Sequence, residues 1–242
     1  MIAALPMYDW PETRGHNDEL WARIAAELTA AHIESPLVLT RGQDLIQLWL
    51  SPDLLLAQTC SYPLETVLKG KVKYVATPTY AAEGCEKPGH YRSVILVRGN
   101  GENAPVPDNG AAALPNWQSQ TRFAFNSIDS MSGYHGLKRD LAADQRGLPI
   151  HTVETGSHRG SIIAVADHTA DLCCVDCVSW AMALEFEPAA QKLKIAGWTK
   201  ERPGLPLITA FNTSPRTIET LAKTAQSVLG AIILASPTDF KG

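Results

Sequence analysis

The chain has 242 residues and a formal net charge of −4, with 45% hydrophobic and 19% charged residues. That is an ordinary globular balance, long enough for one large domain or two lobes of roughly 100 residues each. Lys and Arg are scattered, so there is no basic face of the kind that nucleic acid or an anionic membrane needs. An anion bound here would be held by local dipoles rather than by the net field.

Strand and helix signals alternate along the chain. Ile2 to Met7 reads as a strand. Asn17 to His32 reads as a helix, with Leu20, Ile24 and Leu28 at a spacing of four, Trp21 beside them, and Asn17 or Asp18 as cap. A short strand comes next at Leu37–Thr40, then a short helix at Gln43–Leu50, a strand at Leu54–Thr59, a helix at Tyr62–Leu68 and a strand at Val72–Pro78. Tyr91 to Arg98 reads as a strand buried on both faces. The stretch from Asn100 to Asn116 holds Gly, Pro, Asn and Asp in quantity and reads as loop.

After strand Arg122–Asn126 come a helix to about Gln145, strand His151–Thr155, a helix from Ser157 to about Thr169, and strand Asp171–Asp176. Helix Val178–Phe186, strands Leu193–Trp198 and Leu205–Ala210, and a helix from Pro215 to Leu229 complete the chain. This alternation predicts an α/β protein with mostly parallel sheets. The length predicts two of them, with crossovers near Pro78–Tyr91 and Trp198–Leu205. Lobe one is then residues 1–85 plus 200–242, and lobe two is residues 86–199.

Three strand ends carry chemistry. In an α/β sheet, ligands bind outside the carboxyl ends of the strands, and a helix start offers free N–H groups to anions. In "NSIDSMSGY", Ser130 and Ser132 add hydroxyl donors and Gly133 lets a ligand approach the backbone. The alternative for this turn is a plain Ser or Asp helix cap. The P-loop lysine is absent, which argues against a nucleotide triphosphatase. In "VETGSHRGSI", Ser157 caps a helix whose first turn carries His158, at the same sheet edge. The third strand end places Asp176 there, or makes it the cap of the next helix. On the other lobe Tyr8 comes after strand one, Thr59 and Tyr62 come after "LLLA", and Tyr91 lies near the first crossover. All of these would face a cleft between lobes.

The five cysteines are Cys60, Cys85, Cys173, Cys174 and Cys177. Cys174 and Cys177 have C-x-x-C spacing, but a structural zinc needs four ligands, usually on loops. These cysteines lie in an apolar run that reads as strand, so they are expected to be buried apolar residues, with Cys173 and Cys177 pointing one way and Cys174 the other. A Cys177–His158 nucleophile pair is conceivable as an enzymatic alternative. No metal or cofactor is expected.

The ordered segments "LPMYDW", "LLLAQTCSYPL", "YRSVILVR", "NSIDSMSGY", "TGSHRGSIIAVADHTADLCCVDCVSW" and "PGLPLITA" resemble the phosphonate/phosphate/phosphite-binding family of ABC-transporter substrate-binding proteins. The resemblance covers nearly the whole chain. It implies a two-lobed type II periplasmic-binding-protein fold that closes around a small ligand, and no enzymatic activity. It also implies that Ser130 and Ser132 hold phosphonate or phosphate oxygens, that His158 stands beside them, that Asp176 faces a ligand amine, and that Tyr8 and Tyr62 close over the ligand. Met131 stands where the family commonly has Ser or Thr, which removes one hydroxyl donor. The implied partners are a small oxyanion and an ABC permease, with no nucleic acid and no membrane insertion. The implied compartment is the periplasm. "MIAALPMYDW" does not read as a secretion signal, so a chain complete as written is expected in the cytoplasm, where a ligand sensor on the same scaffold is the alternative.

Overall fold

The structure is a computed structural model and describes residues 1–234. The chain divides into two compact units: Met1–Tyr80 with the segment from Pro203 onward, and Ala81–Arg202.

The first unit holds strands β1 (Ile2–Ala4), β2 (Leu54–Gln58) and β3 (Val72–Ala76), and a later strand that returns to them. Its helices are α1 (Arg14–Ala30), α2 (Leu45–Trp49) and α3 (Ser61–Glu65). The second unit holds β4 (His90–Tyr91), β5 (Ser93–Arg98), β6 (Arg122–Phe125), β7 (His151–Glu154), β8 (Leu172–Asp176) and β9 (Leu193–Trp198). Its helices are α4 (Gly136–Ala143), α5 (His158–Ala166) and α6 (Cys177–Phe186). The two-residue strand β10 (Arg202–Pro203) lies at the return point, before β11 (Leu207–Ala210) and α7 (Pro215–Leu229) in the first unit.

The first sheet has the order β1-β2-β11-β3 and the second β7-β6-β8-β5-β9. In the first, β1 and β2 run parallel while β11 is antiparallel to both of its neighbours. In the second, β6 is parallel to β7 and β8, and β5 is antiparallel to β8 and β9. Each sheet is therefore parallel in sense except for one reversed strand. That strand is the first long strand the chain lays down after passing into the unit.

In the first unit, Trp21, Ile24 and Leu28 of α1 and Leu221 and Ala225 of α7 pack on Leu55, Val75 and Leu207. A separate cluster joins Leu48 and Trp49 of α2 to Leu54, Ala57 and Ile208. In the second unit, Leu137 and Leu141 of α4 cover Ile95, Phe123, Phe125, Leu172 and Cys174. Burying a Leu- or Phe-sized side chain is worth about 1.5–3 kcal/mol, so these clusters rather than surface charge carry the fold.

Several local expectations change. The first strand stops at Ala4 because Pro6, which has no N–H to give a ladder, opens a 3-10 turn over Pro6–Tyr8. Helix α1 starts at Arg14, and Asn17 lies inside it. Asn17 caps nothing: its amide donates to Asp9 Oδ1 at 3.0 Å and to Tyr8 O at 3.3 Å. Leu20 lies at the rim of the stripe, which runs through Asn17, Trp21, Ile24 and Leu28. Leu37–Thr40 forms no strand: Leu37 and Val38 are exposed, and a single main-chain bond, Thr40 N–H to Ala3 O at 2.7 Å, ties the segment to β1. Cys177 belongs to α6 and not to a strand, so the alternation argument ends at Asp176. All three of Cys173, Cys174 and Cys177 are buried.

Candidate functional site

Strands β7, β6 and β8 are neighbours running in the same direction, so their carboxyl ends form one edge. The three strand ends lead into differently built turns. After β6 the chain makes a turn at Ser127–Asp129 and then a π-helical turn over Met131–His135 that leads into α4. The wide turn is anchored from below. Met131 is fully buried, and the Tyr134 ring lies 4.9 Å from that of Phe125. Met131 thus spends the position between the two serines on the core. Single π turns of this kind recur at functional sites because they re-aim side chains without ending the helix.

Ser130 is the cap of this turn: its Oγ accepts from Gly133 N–H at 3.0 Å. Ser132 Oγ lies 3.5 Å from Ser130 Oγ and 3.0 Å from His158 Nε2. The same His158 nitrogen is 3.1 Å from Asp176 Oδ2. The carboxylate has only acceptors, so Nε2 carries the proton and Ser132 Oγ shares it as an acceptor. Both serine oxygens therefore accept from the protein itself, and each O–H can either span the 3.5 Å to the other serine or turn outward to donate.

Asp176 caps α6 as well: its Oδ1 accepts from Ser179 N–H at 2.8 Å. His158 Nδ1 is buried without a hydrogen-bond partner among the described residues, and so is Asn126 Oδ1. Burial lowers the pKa of His158, and the nearby Asp176 carboxylate opposes the shift. The imidazole is thus neutral at pH 7, and the hydroxyls carry the donor role.

Gly133 is also required within the unit itself. A Cβ there would fall 1.9 Å from Asn126 Oδ1, so Asn126 makes a close approach that only glycine allows. Gly133→Ala is expected to cost about 1–3 kcal/mol of stability through this overlap. Adding Asn126→Ala should recover most of it. Urea unfolding of the two single variants and the double variant checks the coupling, and purely additive costs would refute the contact.

Ser157 is an exposed cap whose Oγ accepts from Gly160 N–H at 2.9 Å. Its hydroxyl thus serves its own helix start and stands outside the chain of bonds that links Ser130, Ser132, His158 and Asp176. Tyr91 is buried in β4, two residues before Ser93, which pairs with Asp176. Tyr8, Thr59 and Tyr62 belong to the first unit. The Tyr8 ring packs edge-on against Tyr80 at 5.1 Å, and Tyr80 OH accepts from Gln58 Nε2 at 2.6 Å. Thr59 is fully buried, with its N–H on Pro206 O at 2.9 Å.

The Cys177–His158 nucleophile pair is not formed. Cys177 Sγ lies 3.3 Å from Cys85 Sγ, and that contact together with burial raises its pKa well above the ordinary thiol value. Among the described residues no three His, Cys, Asp or Glu side chains are placed to hold a metal ion. No helix among them is long and apolar enough to cross a membrane.

Asn126 and Tyr80 escape the sequence reading. Asn126 directly follows β6, before the serine-rich turn, and a polar residue just past a strand's carboxyl end is the signal that could find it. Tyr80 carries none.

Burial holds two histidines, His135 and His158, below the ordinary value, so both give pH dependence near neutrality, and the one in the site is His158. Its folded pKa lies below the ordinary value near 6.5, so the unfolded chain takes up the proton first as pH falls. The stability this group contributes is fully present above about pH 6.5 and declines below it. His158→Gln is therefore expected to lose less stability than the parent protein between pH 7.5 and 5.5. Denaturant midpoints at the two pH values measure the difference, and parallel losses would contradict the burial argument.

Two α/β units built from parallel strands with one reversed strand each, and a hydroxyl-rich helix start at the strand ends, define a type II periplasmic-binding-protein fold. The sequence matches the family described as ABC transporter, phosphonate, periplasmic substrate-binding protein over residues 47–227, and the chain belongs to that family. Its members are substrate-binding proteins and not enzymes. No curated protein matches the sequence.

Among solved structures, the chain resembles PhnD1 from Prochlorococcus marinus in complex with methylphosphonate. The TM-score is 0.65 at 16% identity, covering 94% of this chain and 82% of that one. It also resembles a binding protein component of an ABC phosphonate transporter from Pseudomonas aeruginosa (TM-score 0.65, 16% identity, 95% of this chain and 78% of that one). The protein XAC2383 from Xanthomonas citri, bound to ATP, matches with TM-score 0.65 and 13% identity over 98% of this chain and 92% of that one.

Proposed function

We propose that the second unit seats the phosphonate or phosphate group of a small ligand on the hydroxyls of Ser130 and Ser132. The observation that carries this reading is that each serine oxygen already accepts a hydrogen bond from the protein, from Gly133 N–H and from His158 Nε2, so both O–H groups can turn to a ligand at the cost of only the long 3.5 Å contact between them. Hydrogen bonds to an ionised acceptor are the strong ones. His158 Nδ1, buried and without a partner among the described residues, accepts a hydrogen bond from a monoanionic P–OH group.

Asp176 adds preference for a ligand that also carries a cation. Asp176→Asn should weaken binding of an aminoalkylphosphonate more than that of methylphosphonate, which loses only the fixed His158 tautomer behind Ser132. Ser157 shapes the helix start beside His158. The protein hands its ligand to an ABC permease and works in the periplasm.

The test is calorimetric titration of the purified protein with methylphosphonate, phosphite, phosphate, sulfate and an aminoalkylphosphonate. Binding of a phosphorus oxyanion without turnover is the expected result. Binding of sulfate or a carboxylate in preference to every phosphorus oxyanion would overturn the reading.

A further inference from the structure

Two cysteines 92 positions apart in the chain meet in the second unit. Cys85 Sγ and Cys177 Sγ are 3.3 Å apart, and both are free thiols. The approach is built into the backbone. Gly84 has φ +95°, in the region that favours glycine, and a Cβ on it would fall 2.7 Å from Trp198 Cζ3 and 2.9 Å from Cys177 Cβ. Only glycine lets the segment lie this close to the first turn of α6. Within the segment Gly84 N–H donates to Glu86 Oε1 at 2.8 Å, which fixes its turn, and at the start of α6 Cys177 N–H donates to Arg92 O at 3.0 Å.

We propose that Cys85 and Cys177 form a reversible intramolecular disulfide that fastens the segment around Gly84 to the N-terminus of α6. The inference rests on the positions of these sulfurs and not on the ligand assignment. The oxidant is a disulfide donor, such as oxidised glutathione. Cys85 is the more exposed of the two, so its thiolate attacks one donor sulfur and releases the first donor thiolate. Cys177 then loses its proton and attacks Cys85 Sγ, releasing the second donor thiolate. The two protein thiols give up two electrons and two protons, and the donor disulfide is reduced to two thiols. Burial and the neighbouring Cys85 keep Cys177 protonated in the reduced protein, which sets this order of attack.

The experiment treats the full chain at pH 8 with oxidised glutathione, then blocks remaining thiols with iodoacetamide and maps them by mass spectrometry. The expected result is a loss of two thiols from the five and a cross-linked peptide pair joining Cys85 to Cys177. The melting temperature of the oxidised protein should exceed that of the reduced protein by about 5 °C or more. Cys85→Ser should abolish both the cross-link and the shift. Full alkylation of both cysteines after oxidation, or a link between any other pair, would overturn the proposal.

Discussion

Replacing both Ser130 and Ser132 by Ala is expected to lower affinity for a phosphorus oxyanion by about two orders of magnitude or more. Each hydroxyl offers a hydrogen bond to a charged acceptor, worth roughly 1.5–3 kcal/mol. Two such bonds give about 3–6 kcal/mol, and each 1.4 kcal/mol is a factor of ten. The single changes are not equivalent. Ser130→Ala also removes the acceptor for Gly133 N–H, so it costs about 1 kcal/mol of stability as a lost cap. Ser132→Ala leaves the His158 bond to Asp176 in place, at 3.1 Å, and should barely move the melting temperature. Titration with methylphosphonate at fixed pH, run beside thermal unfolding of the same samples, separates the two effects. Unchanged affinity in the double variant would place the anion elsewhere.

The second large effect lies in the support beneath the site. Asp140 of α4 is buried and pairs with buried Arg202, and its Oδ2 accepts from Lys200 N–H at 2.8 Å. Arg202 also donates to Gly136 O at 3.1 Å and to Lys200 O at 2.7 Å. Removing one member of a buried pair leaves the other charge uncompensated, at about 3–5 kcal/mol. Asp140→Ala should therefore cost about that much, a large share of a typical domain's stability. Asp140→Asn keeps an acceptor for the Lys200 amide and should cost less. Combining Asp140→Ala with Arg202→Met should cost less than the sum of the two changes, because no lone cation is then buried. Chemical denaturation of these variants measures the coupling, and additive costs would show that the pair contributes nothing beyond its separate bonds.

Much of this organisation is legible in the sequence because it rests on local chemistry. The run Leu54–Gln58 is buried at every position, as an uninterrupted apolar strand demands. Helix α7 starts at Pro215 behind the Ser214 cap and ends at Gly230 with φ +57°, so all three punctuation marks stand in the sequence. Ser130, Ser132, His158 and Asp176 come together because each lies at or just past the carboxyl end of one of three adjacent strands.

The rest is illegible because it depends on partners distant in sequence. Whether Asn17 ends a helix or stays inside one turns on Asp9 and Tyr8 accepting its amide. Whether Leu37–Thr40 pairs as a strand depends on what else borders β1. The role of Gly133 depends on where Asn126 lays its side chain, and nothing in a glycine's neighbours in the chain reveals that. The reversed strands are invisible for the same reason, since an apolar run has no direction.

One of those reversed strands bears on synthesis. Strand β11 is wedged between β2 and β3, yet it is encoded about 130 residues after β3. A ribosome adds about 5–20 residues per second. The growing chain therefore carries β2 and β3 for many seconds with the place between them unfilled, their apolar side chains and ladder groups uncovered. The second unit, contiguous from Ala81 to Arg202, has no such delay and is the part able to fold first. The N-terminal 80 residues wait for β11 with strand edges open to pairing with other chains, and that interval is the stage of synthesis most exposed to aggregation.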